Sequence, residues 1–78
     1  YEAMMEYADF ARRQNQYAKA ETYYKLCKDK IAPLVKTNPE LYEPQLAKVY
    51  INLGLVYYCT KRFNESEQMF KAAIAIYE

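Results

Sequence analysis

The chain has no histidine and no tryptophan, a single glycine (Gly54), three prolines and two cysteines among its 78 residues. Each scarcity excludes something. Without an imidazole, Cys27 and Cys59 have no neutral-pH base to activate them, and two thiols leave a tetrahedral zinc shell half filled unless chains pair. No catalytic, metal or cofactor site is therefore expected, and the chain reads as a non-enzyme. One glycine cannot build a glycine-rich phosphate loop, and no Asn-Gly, Asp-Gly or Gly-Gly pair is present to close a tight hairpin, so β structure is disfavoured. The longest nearly unbroken apolar run, residues 53–59, falls far short of the ~20 residues that cross a bilayer, and no basic-then-apolar signal precedes it. No membrane insertion is expected. Eleven Lys and Arg against ten Asp and Glu give a net charge of +1, too balanced for the clustered basic face that a polyanion requires. Nucleic acid is not an expected partner.

What is present points to one globular unit over residues 1–78: 53% apolar and 27% charged residues, with ten of the apolar ones tyrosines that carry a polar tip. Apolar residues recur at spacings of three and four in Met4, Tyr7, Ala8, Ala11 and again in Leu46, Val49, Tyr50, Leu53, Tyr57, the period that gathers side chains on one helical face. The pattern predicts four helices. The first covers about residues 2–13, with acids (Glu2, Glu6, Asp9) towards its start and Arg12 and Arg13 at its end, an order that complements the helix dipole. Those acids read as a solvated helix face, since acid-base pairs need a cleft and unlike environments. After a polar break at Gln14-Asn15-Gln16, a second helix starts at about Tyr17 with the stripe Tyr17, Ala20, Tyr24, Cys27, Ile31.

Pro33 leaves two readings of its end, a stop near Ile31 or a kinked continuation to Lys36. Pro39 and Pro44 both suit a first helical position, and the third helix is placed at about residues 44–59, after a connector at about 37–44. Thr60-Lys61-Arg62 forms the next turn, and Asn64 with Glu67 resembles a capping box that opens the fourth helix. Asn64-Glu65-Ser66 also matches a glycosylation triplet, a pattern that chance supplies often.

Shifting the chain by 46 residues lays Tyr17 on Phe63, Ala20 on Ser66, Glu21 on Glu67, Tyr24 on Phe70, Lys25 on Lys71 and Cys27 on Ala73. Large falls on large and small on small. Upstream, Met4 falls on Tyr50, Tyr7 on Leu53 and Ala8 on Gly54, so each half reads as helix, turn, helix. The second half, with Tyr50, Leu53-Gly54, Tyr57, Phe63, Ser66, Phe70 and Ala73, resembles a tetratricopeptide repeat, and the first half resembles it more weakly, with Ala8 where the family has Gly and Ala11 where it has Tyr. Gly54 and Ser66 would let two helices approach while Tyr57 and Phe70 fill the space beside them. The offset exceeds the family's usual spacing of about 34, as in long-helix bacterial arrays.

The resemblance implies an all-α fold of two such hairpins, four antiparallel helices of an α-solenoid, with repeat one at about 1–38 and repeat two at about 44–78. It also implies a protein-interaction module whose first helices line a concave groove for a partner's peptide or helix. On this chain the groove maps to Glu2, Met5, Asp9, Arg12 and Arg13, and to Lys48, Ile51, Asn52, Leu55 and Tyr58. Family members that clamp the C-terminal carboxylate of chaperones use a Lys and two Asn; Met5, Asp9 and Asn52 stand there, so no such clamp is expected. Cys27 and Cys59 read as buried small residues in a reducing compartment, a disulfide between adjacent repeats being the other option.

The run Ala72-Ala-Ile-Ala-Ile-Tyr77 is apolar on every side of the last helix and calls for a cover. Ile74, Ile76 and Tyr77 are thus candidates for stacking or self-association, either because the chain is a fragment of a longer array or because two copies pair. The alternative function is accordingly a structural, self-assembling repeat, or an accessory domain of a larger protein, with no groove ligand. Compartment is left open, the cytoplasm being favoured over the periplasm.

Overall fold

The computed structural model describes residues 2–77, with side chains from residue 3 onward. Its elements are the helices α1 (Glu2–Arg13), α2 (Tyr17–Val35), α3 (Pro39–Cys59) and α4 (Phe63–Tyr77), and no strand occurs among the described residues. The fold is all-α, as the spacing of apolar residues requires. Each helix packs on the next, α1 on α2, α2 on α3 and α3 on α4. At 34 × 26 × 15 Å the molecule is about two helix layers thick, given the usual 8–10 Å between packed axes.

The two hairpin turns share one hydrogen-bond scheme. In the first, the N–H groups of Gln14, Asn15 and Gln16 donate to the carbonyls of Phe10, Arg12 and Ala11; in the second, Thr60, Lys61 and Arg62 donate to Val56, Tyr58 and Tyr57. Every donor and acceptor is displaced by the same 46 positions, and so are the left-handed residues Asn15 (φ 62°) and Lys61 (φ 64°). Asparagine tolerates that backbone through local hydrogen bonding, whereas lysine gains nothing from it.

These turns explain one departure from the sequence reading. α4 opens at Phe63, so Asn64 lies inside the first turn and is not the cap. Arg62 already presents its carbonyl to Ser66 N–H, just as Gln16 presents its own to Ala20 with no side-chain cap. Backbone turn geometry, repeated in both hairpins, sets the start.

The prolines decide one reading left open and bring one further departure. α2 runs through Pro33 to Val35, the second of the two readings: Pro33 forfeits only one bond near the helix end, and Ile31 and Val35 are held in the core cluster. α3 begins at Pro39, so the connector is only residues 36–38 and not 37–44. Asn38 accepts Leu41 N–H on its side-chain oxygen (3.4 Å), Pro39 takes the first helical position and Glu40 adds negative charge to the first turn. Pro44 then sits inside the helix at the loss of one further bond.

Small residues close the second hairpin. A Cβ on Gly54 would stand 2.8 Å from Phe70 Cε1, and Ser66 Oγ donates to the Gly54 carbonyl at 2.8 Å in a buried bond. In the first hairpin the corresponding Ala8 and Ala20 are fully buried beside a fully buried Tyr24. One cluster then joins the hairpins, with Tyr24, Cys27 and Ile31 of α2 and Val49, Leu53 and Val56 of α3 all sealed from solvent. Arg62 bridges them at the rim: it pairs with Glu21 of α2 at 2.5 Å, forks onto Glu65, and lies 4.4 Å over the Tyr57 ring. Cys27 is core, as expected, but Cys59 is exposed at the α3 end, where the helix turns its last residue outward; the two do not form a disulfide.

Candidate functional site

The groove residues divide into two unlike halves. On α1, Met5 packs against the core cluster, while Asp9 and Arg12 are half-buried and already engaged. The Tyr24 hydroxyl donates to Asp9 Oδ1 and accepts from Arg12 Nε at 3.3 Å, so these two side chains satisfy a phenol whose ring is wholly buried. Burial first, and the Asp9 acceptor second, push the Tyr24 hydroxyl up to about 12. The bond to Tyr24 likewise raises Arg12 above its ordinary value. Arg13 is exposed, and the side chain of Glu2 lies outside the described part. The α1 half is a polar network that fastens α1 to α2.

The α3 half is open and apolar. Leu55 is 38% and Tyr58 61% exposed, Ile51 is half-buried, and Lys48 is exposed one turn towards the helix start. Helical geometry dictates this: Ile51, Leu55 and Tyr58 follow at four and three residues on the side opposite the sealed Val49, Leu53 and Val56, bordering Gly54, which faces α4. Tyr58 meets Phe63 edge-on at 5.4 Å between ring centres, which steadies the aromatic at the α4 end of the strip.

Asn52 sits beside that strip and is only 8% exposed. Its amide makes no hydrogen bond to any described residue, yet no described side-chain polar atom is both sealed and unpartnered, so the amide opens to the surface. A buried stem thus leaves an amide donor and acceptor at its tip facing the surface. In the sequence it was reached as a groove position implied by the family resemblance.

The candidates on α4 divide as well. Ile74 and Tyr77 are 55% and 66% exposed, whereas Ile76 packs against the core cluster. Sequence reasoning missed an open cleft of about 280 Å³ lined by Pro39, Glu40, Glu43, Pro44, Ile76 and Tyr77. Its α3 wall is present because that helix starts at Pro39 and not at Pro44. No described helix is long and apolar enough to cross a membrane, and no three Cys, Asp or Glu side chains among the described residues converge as a metal shell would.

Helical hairpins closed by small residues and stacked through a shared core are the architecture of a repeat array. The family model of the tetratricopeptide repeat matches residues 1–78. Neither the curated proteins nor the solved structures yield a match. With the whole chain covered and the Gly54–Ser66–Phe70 packing in place, the chain belongs to the tetratricopeptide repeat family, whose members serve as protein-interaction and scaffold modules.

Proposed function

We propose that the face carrying Ile51, Asn52, Leu55 and Tyr58 binds an extended or helical segment of a partner protein, with Lys48, Met5, Asp9 and Arg12 at its margins. The observation that carries this reading is Asn52: a residue only 8% exposed whose amide tip reaches the surface without a hydrogen bond to any described residue, next to two large exposed apolar side chains. Leu55 and Tyr58 supply apolar anchoring and Asn52 holds the ligand's backbone in register. Preformed helices keep the ordering cost of binding low. Asp9 places negative charge on the same face and already serves Tyr24, so a terminal carboxylate is a poor ligand.

The test is selection from an unbiased library of linear peptides, followed by titration of the winners against variants. Leu55→Ala and Tyr58→Ala are expected to weaken binding about tenfold each, and Asn52→Ala somewhat less, with helicity retained. Lys30→Ala, exposed on α2, leaves binding unchanged. Winners indifferent to all three groove substitutions would refute the assignment, as would saturation by a peptide ending in Glu-Glu-Val-Asp below about 10 µM, roughly −7 kcal/mol.

A further inference from the structure

Arg12 brings a charge to the groove that the fold does not pair. The ion pairs among the described residues join Lys25 and Arg62 to Glu21, Arg62 to Glu65 and Lys71 to Glu67, and none includes Arg12. Its half-buried guanidinium is bonded through Nε alone, to the Tyr24 hydroxyl at 3.3 Å, which leaves Nη1 and Nη2 without a partner among the described residues. Asp9 does not supply one, since it accepts from Tyr24 and stands beyond ion-pair distance of Arg12. Arg62, also half-buried, makes the contrast: it forks onto Glu65 and takes Glu21 as well. The Arg12 head is nonetheless held in place, because the Tyr24 ring is wholly buried and Asp9 fixes its hydroxyl. The bond to Tyr24 leads the upward shift of the Arg12 charge, and Asp9 and then Cys59 add to it, which puts the guanidinium within electrostatic reach of the last residue of α3, next to Tyr58. Arg13 and Lys61 are exposed at the same turn ends of the two hairpins, whereas Asp9 and Glu6 stand further back along α1.

We propose, building on the groove reading above, that the segment bound there is acidic as well as apolar. An Asp or Glu side chain of the partner takes Nη1 and Nη2 of Arg12 in a two-point pair, while neighbouring apolar side chains seat on Leu55 and Tyr58. Charge complementarity favours this ligand over a basic one, because Asp9 already serves Tyr24 and Arg12 has no carboxylate. The planar fork of a guanidinium matches a carboxylate at both oxygens, and a head tethered at Nε loses little freedom when the pair forms. With packed helix axes about 10 Å apart and an extended chain advancing about 3.3 Å per residue, the acid is expected about two to four residues from the apolar anchor. A side-chain carboxylate is sufficient, so the chain end of the partner is not required.

Peptides selected as above, amidated at the C-terminus so that only side-chain carboxylates act, test this in a double-mutant cycle. The winners are expected to share an Asp or Glu at one fixed spacing from the apolar anchor. Against the unaltered chain, Glu→Gln in the peptide weakens binding about tenfold and Glu→Lys weakens it further, two readings that need no altered protein. Against Arg12→Gln, checked for native helicity, the same Glu→Gln change costs less than about twofold. Arg12→Lys keeps the charge but loses the fork, and retains only part of the parent's affinity. Winners that need Leu55 and Tyr58 but share no acid, or whose acid matters as much against Arg12→Gln, overturn this inference and leave the groove reading standing. Winners indifferent to Leu55→Ala and Tyr58→Ala overturn both.

Discussion

Gly54→Ala isolates the feature on which the second hairpin depends. Glycine inside a helix is about 1 kcal/mol worse than alanine, so the substitution by itself favours α3. Against that stands the ring of Phe70: a Cβ at Gly54 would meet its Cε1, Cζ and Cδ1 at 2.8, 2.9 and 3.0 Å, an edge of the ring rather than one flexible tip. Overpacking of that kind costs about 1–3 kcal/mol, and the balance is a net loss of about 0–2 kcal/mol. The single substitution is therefore a blunt test, and a double-mutant cycle is the sharp one. With Phe70→Leu the ring edge is gone, and Gly54→Ala is expected to stabilise by about 0.5–1 kcal/mol, a coupling of about 1–3 kcal/mol between the two sites. Urea unfolding reads the cycle, and in a parallel thermal melt a shift of 1 kcal/mol moves the midpoint by about 4–8 °C in a domain this size. If Gly54→Ala stabilises both backgrounds equally, the close approach of α3 and α4 does not govern this hairpin.

Three other outcomes follow from the polar network and the turns. The Tyr24 hydroxyl, raised to about 12 from 10.0, binds its proton more tightly in the native state than in the unfolded chain; its stabilisation is intact below pH 10.0 and is lost as pH climbs through 12, about 2–3 kcal/mol in all, so alkaline melts of Tyr24→Phe are expected to be flatter than the parent's. Burial acts to raise the Glu21 carboxyl, but the bonds from Lys25 and Arg62 outweigh it and hold the group below its ordinary 4.5; that stabilisation is present above pH 4.5 and disappears as pH falls through the lower native value, so Glu21→Gln removes a step from the acid melt. Lys61, at φ 64°, is strained where glycine is not, and Lys61→Gly should stabilise the chain by up to about 1 kcal/mol in the same urea assay.

Much of this molecule was readable from residue types alone. Apolar spacing gave four helices, and the size pattern around Gly54, Ser66 and Phe70 announced a close hairpin, because a helix pair needs small residues at its nearest approach wherever it occurs. The groove was mapped less well. Asp9 and Arg12 carry charges that any sequence reading assigns to solvent or ligand, and only packing shows that a buried phenol from α2 reaches both. Cys59 failed for a related reason: residue type favours burial, but its place at the last turn of α3 points it outward.

Local chemistry thus fixed what depends on neighbours in the chain: the helix period and the two hairpin turns. Helix starts were harder, since Pro39 and Pro44 compete on equal local terms and Asn38's side chain decides between them, while the start of α4 follows from backbone bonds in its turn rather than from Asn64. The tertiary structure alone decided which apolar side chains are spent on the core and which stay open. Leu53 and Tyr7 occupy matching places in matching helices, and one is sealed while the other is 62% exposed, because α2 packs over the α3 residue. Burial belongs to the arrangement of helices around a residue, which no side chain carries by itself.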